Sequence, residues 1–387
     1  MIPLSYSFRS IFRRKFTAFA TAFGLGLVVF VFAAVLMVAG GVQKTLKSTG
    51  SPKNAILLRK GSTSELVSGL SREAAKTFAA DPSVAQAGGK PVASPELFVI
   101  QQLEKSDKSG PANVAFRGYT QDGYDLLRKE TIKLVAGRLP QPGTSEVMIG
   151  SGARGRYLGA ELGQSIHKAR RDWSVVGVFT SGGSASESEV WGDVEQLGQA
   201  MNRPGFSSMT VQLRSPSDLA QLKATVDADT RFNLEAKRED VYYEESSGTL
   251  AAFITALGSV VAVFFALGAT VGAMITMFTQ VATRLREIGT LRALGFTRRS
   301  VLLAFVVESL LLSLSGAVVG CLLAALLGNF SFTTINFGTF TETKFQLAFS
   351  ARVGLAASIF AVAMGLVGGI LPAIQAARRP IAEASKG

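Results

Sequence analysis

Residues 284–300 read RLREIGTLRALGFTRRS and lie between two long apolar runs, 249–282 and 301–328. Five arginines and one glutamate share this short link. Positive charge concentrated between apolar segments marks the cytoplasmic side of a membrane protein. Leu285, Ile288, Leu291 and Leu294 recur every third residue, which gives a short helix one apolar side at the membrane interface. Gly295 is a natural stop for that helix. A loop that only fixed topology would explain the arginines, but not the embedded Glu287 and Gly289 or the apolar spacing.

Two further apolar runs lie outside this pair, 16–42 and 351–371. A membrane-crossing helix needs ~20 apolar residues, so all four runs qualify. The first follows a basic stretch, as a signal peptide would. A signal core is only ~7–15 residues long, so an uncleaved anchor is expected. The net charge of +12 is unevenly spread. Arg9, Arg13, Arg14 and Lys15 precede the first run. Arg378, Arg379 and Lys386, with Glu383, follow the last. The long segment 40–248 is nearly balanced, with 26 basic and 24 acidic residues. The excess therefore flanks apolar runs, which argues against a nucleic-acid surface. This pattern places the N-terminus (1–15), the link 283–300 and the tail 372–387 in the cytoplasm. Segment 43–248 and the short loop 329–350 are placed outside.

Segment 43–248 mixes strands with short helices. Residues Asn54–Arg59, Leu97–Gln102, Asn113–Gly118, Glu146–Ile149, Trp173–Phe179 and Ser208–Leu213 read as strands. Ser71–Ala80, Tyr124–Leu127, Ser151–Leu158, Val194–Met201 and Pro216–Asp227 read as helical. The expected fold is a four-helix membrane protein with an α+β extracytoplasmic domain between the first and second crossings.

The second run carries more residues than a crossing needs. Gly248 to Phe278 would make ~46 Å of helix, against ~30 Å of hydrocarbon. Arg238–Ser247 could extend it outward as a stalk. Small residues recur four apart at Gly268 and Gly272, Gly316 and Gly320, and Gly365 and Gly369, a spacing that lets helices approach closely within a bundle or between two copies. Glu308 lies about two turns into the third run, where an ionised carboxylate is costly. It is expected to pair with an arginine of the inner link.

No catalytic or metal-binding constellation is expected. His167 is the only histidine, beside Lys168, Arg170 and Arg171, and reads as a surface or turn residue. Cys321 is the only cysteine and sits in an apolar run, so no disulfide can form within the chain. Gly89-Lys90 is followed by Pro91, which breaks any P-loop pattern.

The run Arg284–Gly295, followed by Phe305-x-x-Glu308 and Gly316-x-x-x-Gly320, resembles the FtsX-like/MacB-type ABC transporter permeases. The tail Pro372-Ala-Ile-Gln-Ala-Ala-Arg378, with Pro380 and Glu383-Ala384, is similar to the end of the same family. Gly137-Arg-Leu-Pro140, Glu146-Val-Met-Ile149, Leu162-Gly163 and Val175-Val-Gly-Val178 resemble its MacB-like extracytoplasmic core. The resemblance implies a mechanotransmission permease in the bacterial inner membrane. It implies two copies of an ABC ATPase subunit as partners, here a separate polypeptide that holds ATP and Mg, with no cofactor on this chain. It implies a second permease copy, identical or paralogous, and membrane lipids around the helices. A periplasmic adaptor of the HlyD/MacA-like type and an outer-membrane channel are further partners it suggests. Arg284, Arg286, Glu287, Ile288, Gly289, Leu291, Arg292, Leu294 and Gly295 would then form the coupling helix that meets the ATPase. The expected work is export or extraction of a substrate from the outer face of the membrane. The alternative is a signal transducer that activates a cell-wall hydrolase.

Overall fold

The computed structural model describes residues 15–328, 330–335, 341–347 and 349–378. Arg9, Arg13 and Arg14, and the tail residues Arg379, Pro380, Glu383, Ala384 and Lys386, lie outside them. Among the described residues, four helices are long and apolar enough to cross a membrane: Lys15–Lys47, Glu239–Thr283, Arg298–Leu327 and Ala351–Arg378. The chain divides into a helical unit (1–40, 252–330 and 347–387) and a sheet unit (41–251 and 331–346).

In the helical unit, small residues set how closely the helices pack. A Cβ on Gly316 would lie 2.8 Å from the Ala22 carbonyl oxygen, and one on Gly320 would lie 2.5 Å from that of Gly26. A Cβ on Gly365 would overlap Ser313, and one on Gly369 would overlap Ser309. The third long helix therefore meets the first through one pair of glycines and the fourth through the other. Without a hydrophobic drive inside lipid, such close backbone approach is what holds helices together. Gly268 and Gly272 do not take part in packing within the single-chain bundle. Nothing lies within 4 Å of a Cβ built on either. The second long helix has only 12% of its apolar window buried, against 33–44% for the others, so these glycines face out of the single-chain bundle.

The sheet unit contributes β1 (Asn54–Arg59), the small hairpin β2–β3 (Gln86–Ala87 and Lys90–Pro91), β4 (Ala93–Glu104), β5 (Pro111–Tyr119), β6 (Lys133–Gly137) and β7 (Glu146–Gly150). These are followed by β8 (Ser165–Lys168), β9 (Arg171–Thr180), β10 (Val190–Asp193), β11 (Ser208–Gln212) and β12 (Leu234–Arg238). Ten strands form one sheet in the order β12-β1-β11-β4-β5-β10-β7-β9-β6, with β8 on β9. β10–β5 and β7–β9 run parallel, and the other pairs are antiparallel. A mixed sheet with short helices is the α+β architecture expected.

β1 shows why this sheet is covered on both faces. Side chains alternate across a strand. Ala55 and Leu57 enter the main core, while Ile56 and Leu58 meet Tyr242 and Tyr243 on the opposite face. Those tyrosines belong to the first turns of the helix Glu239–Thr283. Each fully buried aliphatic or aromatic side chain contributes about 1.5–3 kcal/mol. A second aromatic cluster gathers Tyr119, Tyr124, Phe179 and Trp191 with Ile132 and Met148.

Two expectations are corrected. Ser151–Leu158 is not helical but a series of turns. Gly155 (φ 68°) and its neighbour Gly159 (φ 78°) adopt left-handed backbone, and the amides of Gly152 and Ala153 bond to the Glu187 carbonyl instead of to a helix. Segment 329–350 is more than a loop. Within it, β13 (Ser331–Ile335) and β14 (Glu342–Gln346) pair as a hairpin and belong to the sheet unit. Glu342 pairs with Lys105 at 2.7 Å and with Arg156 at 2.5 Å, and the Lys344 amide donates to Ser188 Oγ at 3.0 Å.

Candidate functional site

Two constellations carry the functional reading, one in each unit. The first is the inner link. Leu285–Ala293 is a helix, preceded by Arg284 at φ −114°, ψ 15°. Its end is built by Gly295, which sits at φ 92°. The Phe296 amide donates to the Leu291 carbonyl at 3.2 Å and the Gly295 amide to that of Arg292 at 3.1 Å. This pair of bonds closes a helix with a left-handed residue, a role glycine fills without strain. Thr297 then caps the third long helix, its Oγ1 accepting from the Ser300 amide at 3.3 Å.

The nine coupling residues expected from the sequence divide into two groups. Ile288 and Gly289 are buried, and Ile288 packs with Ala18, Met277, Val281 and Phe305. Arg284 is also buried, and its Nη1 donates to Glu308 Oε2 at 3.0 Å. It is thus Arg284, of the inner-link arginines, that meets the intramembrane acid, with Glu308 5% exposed. These three residues are turned into the bundle and seat the helix. Arg286, Glu287, Leu294 and Gly295 are exposed, and Leu291 and Arg292 are half-buried. Leu294 is 72% exposed, a large apolar side chain held at the helix end.

The second constellation lies at the root of the helix Glu239–Thr283, whose first residues through Ala251 belong to the sheet unit. Arg128 Nη1 donates to Glu239 Oε1 at 2.7 Å and Arg128 Nε to Glu96 Oε1 at 2.9 Å. Glu239 Oε2 also accepts from Asn54 Nδ2 at 2.8 Å and the Ser51 amide at 3.0 Å. Arg117 binds Glu96 at 2.7 Å, Glu65 at 2.9 Å and Glu189 at 2.8 Å. Its guanidinium also stands over the rings of Phe98 and Trp191. Tyr243 donates to Glu65 Oε2 at 3.3 Å, and the Tyr242 hydroxyl accepts from the Glu65 amide at 2.9 Å. All six ionic side chains are buried. Burial opposes ionisation of Glu65, but the charge and hydrogen bonds of Arg117 and a bond from Ser208 outweigh it, and its pKa falls below the ordinary value. Burial, and then the Glu65 charge, push the Tyr243 hydroxyl well up, so it stays a donor.

Sequence reading missed this network. Its members come from β4, β5, β11, two short helices and a helix start, and no local spacing unites them. The available signal was a charge within an otherwise apolar strand, as with Glu96 and Arg117. His167 is exposed on β8, its Nδ1 2.7 Å from Asp172 Oδ1.

A membrane-helix unit with a basic inner-link helix, combined with a mixed-sheet unit inserted after the first crossing, defines an integral membrane protein of the permease type. Residues 18–229 match the model of the MacB-like periplasmic core domain, and residues 259–381 match that of the FtsX-like permease C-terminal region. The chain belongs to this family of MacB/FtsX-type ABC transporter permeases, and its sheet unit is the extracellular domain. It is 24% identical over 386 residues to the ABC transporter permease YknZ of Bacillus subtilis, covering 92% of this chain and 91% of that protein. It is 27% identical over 408 residues to YvrN of the same organism, covering 96% of each. The macrolide export ATP-binding/permease protein MacB of Hahella chejuensis is 28% identical over 249 residues, which is 60% of this chain. The chain covers 36% of the length of that relative. Among solved structures, the extracellular domain of YknZ aligns over 48% of this chain and 99% of its own, at 12% identity and a TM-score of 0.36.

Proposed function

We propose that this permease couples ATP hydrolysis on a separate ABC ATPase subunit to motion of its extracytoplasmic domain. That motion drives export or extraction of a substrate from the outer face of the bacterial inner membrane. Two permease copies pair with two ATPase copies, and both chain ends face the cytoplasm with the ATPase. ATP and Mg belong to the ATPase and no cofactor to this chain. The observation that carries the reading is the inner-link helix, seated by Ile288, Gly289 and Arg284 and leaving Arg286, Glu287 and Leu294 exposed. A helix so held can be pushed without peeling away from the bundle. The helix Glu239–Thr283 supports the same reading. Its 45 residues correspond to about 68 Å of continuous helix, far more than one crossing requires. Its root is locked into the sheet by the Glu239–Arg128 pair and by Tyr242 and Tyr243, so displacement along the helix reaches β1, β4 and β5.

The test replaces Glu287 and Arg292 together with alanine and purifies the chain with its ATPase. The expected result is weaker assembly and ATP hydrolysis that no longer responds to substrate or membrane. A double variant that assembles and couples normally overturns the coupling role. Absence of any ATPase from the native complex overturns the whole reading.

A further inference from the structure

The buried ion network forms one wall of a cavity of about 530 Å³ within the sheet unit. That volume suits a small organic ligand. Glu65, Arg117 and Glu189 line the wall, with the aromatic rings of Phe98, Tyr242 and Tyr243 around them. Glu235, Lys237 and Glu245 line it as well.

Charge decides what such a cavity accepts. Arg117 is the deep cation, and its Nε, Nη1 and Nη2 are all given to Glu65, Glu96 and Glu189. It has no donor left for an incoming anion. Lys237 is shared between Glu245 at 3.1 Å and Glu235 at 4.0 Å. With the direct ion-pair partners included, six carboxylates stand against four cations, an excess of two negative charges around an aromatic space. Ser64 lines the same cavity, is 4% exposed, and its hydroxyl has no hydrogen-bond partner among the described residues. It is an acceptor left for an N–H group. Aromatic faces beside carboxylates are the recognised receptor for an ammonium group carrying an apolar body.

We infer that this cavity is a binding site for organic cations, specifically ammonium compounds with an aromatic or apolar body. The site stands independently of the coupling mechanism, because its test reads binding and needs no ATPase.

The experiment titrates the full-length chain in nonionic detergent with benzylammonium and, separately, with benzylsulfonate, by calorimetry. The two probes share a body and differ in the sign of their charge. The ammonium is expected to bind with a submillimolar Kd and the sulfonate not to bind. Glu235→Gln with Glu245→Gln removes two lining carboxylates and should weaken the ammonium about tenfold, roughly threefold for each partly exposed charge. Ala185→Phe fills the cavity from its wall and should abolish binding, while the fluorescence of the two buried tryptophans of the folded sheet unit is retained. Equal binding of both probes, no binding of the ammonium up to 10 mM (a ceiling about tenfold above the weakest expected Kd), or unchanged ammonium binding in the cavity-filled variant each overturns the proposal.

Discussion

Arg128→Met is the sharpest test of how the long helix is rooted. The guanidinium is buried and bonds Glu239 at 2.7 Å, Glu96 at 2.9 Å and Thr210 Oγ1 at 3.1 Å. Methionine keeps much of the volume but none of the donors. Glu239 would retain Asn54 and Ser51, and Glu96 would retain Arg117, so neither carboxylate is stripped bare. Both are 0% exposed, however; Glu239 would lose its ion-pair partner and Glu96 one of its two. Breaking one side of a buried pair costs about 3–5 kcal/mol. In a domain of this size each kcal/mol moves the melting temperature by about 2–4 °C, so a fall of about 6–20 °C is expected. The assay is built into the sequence. The chain has two tryptophans, Trp173 and Trp191, and both are buried in the sheet unit, so their fluorescence follows its unfolding in the intact protein. Adding Glu239→Gln removes the orphaned charge, and the double variant should melt above Arg128→Met alone, because contacting residues are not additive. A loss below about 1 kcal/mol for Arg128→Met would refute the reasoning, since it is the scale of an exposed pair. A double variant no more stable than the single would refute it as well.

Acid should weaken the same unit. Glu65 has its pKa lowered in the fold, so its contribution is fully present above the unfolded value near 4.5 and is lost as pH falls through the lower folded value. Tryptophan fluorescence against pH should therefore hold steady above about pH 5 and decline below about 4.5, and Glu65→Gln should flatten that slope. In the helical unit, Gly369→Val should force the third and fourth long helices apart at Ser309 and cost about 1–3 kcal/mol, seen as lower detergent-stable yield. Gly268→Val, on the outward face, should leave that yield unchanged.

The fold was largely legible because its two signals are strong. Apolar runs of membrane length announce themselves, and strands such as Asn54–Arg59 and Trp173–Phe179 are rich in apolar residues. β8 and β10 escaped because they are only four residues long, and β6 (Lys133–Gly137) and β12 (Leu234–Arg238) because they form the sheet edges, where the pattern of buried residues is weaker. At the candidate sites, Glu308 was legible because a lone acid in a membrane run demands a partner. The network around Arg117 was not, because its members are separated by up to 174 residues, from Glu65 to Glu239, and only the folded sheet brings them together. The split of the inner-link residues into seated and exposed groups also needed the structure, since a spacing of three does not say how far an apolar side is covered.

The hairpin β13–β14 has a consequence for biosynthesis. β12 ends at Arg238, yet Glu342, the shared partner of Lys105 and Arg156, is made 104 residues later. At about 5–20 residues per second, the sheet with β12 already made lacks that carboxylate for roughly 5–20 s, and the two cations, made earlier, wait longer. During that interval the Ser188 hydroxyl lacks the Lys344 amide, and Gly41 lacks the Gln346 backbone that later presses against it. The sheet unit is therefore completed late, after two more long helices than its contiguous sequence suggests have left the ribosome.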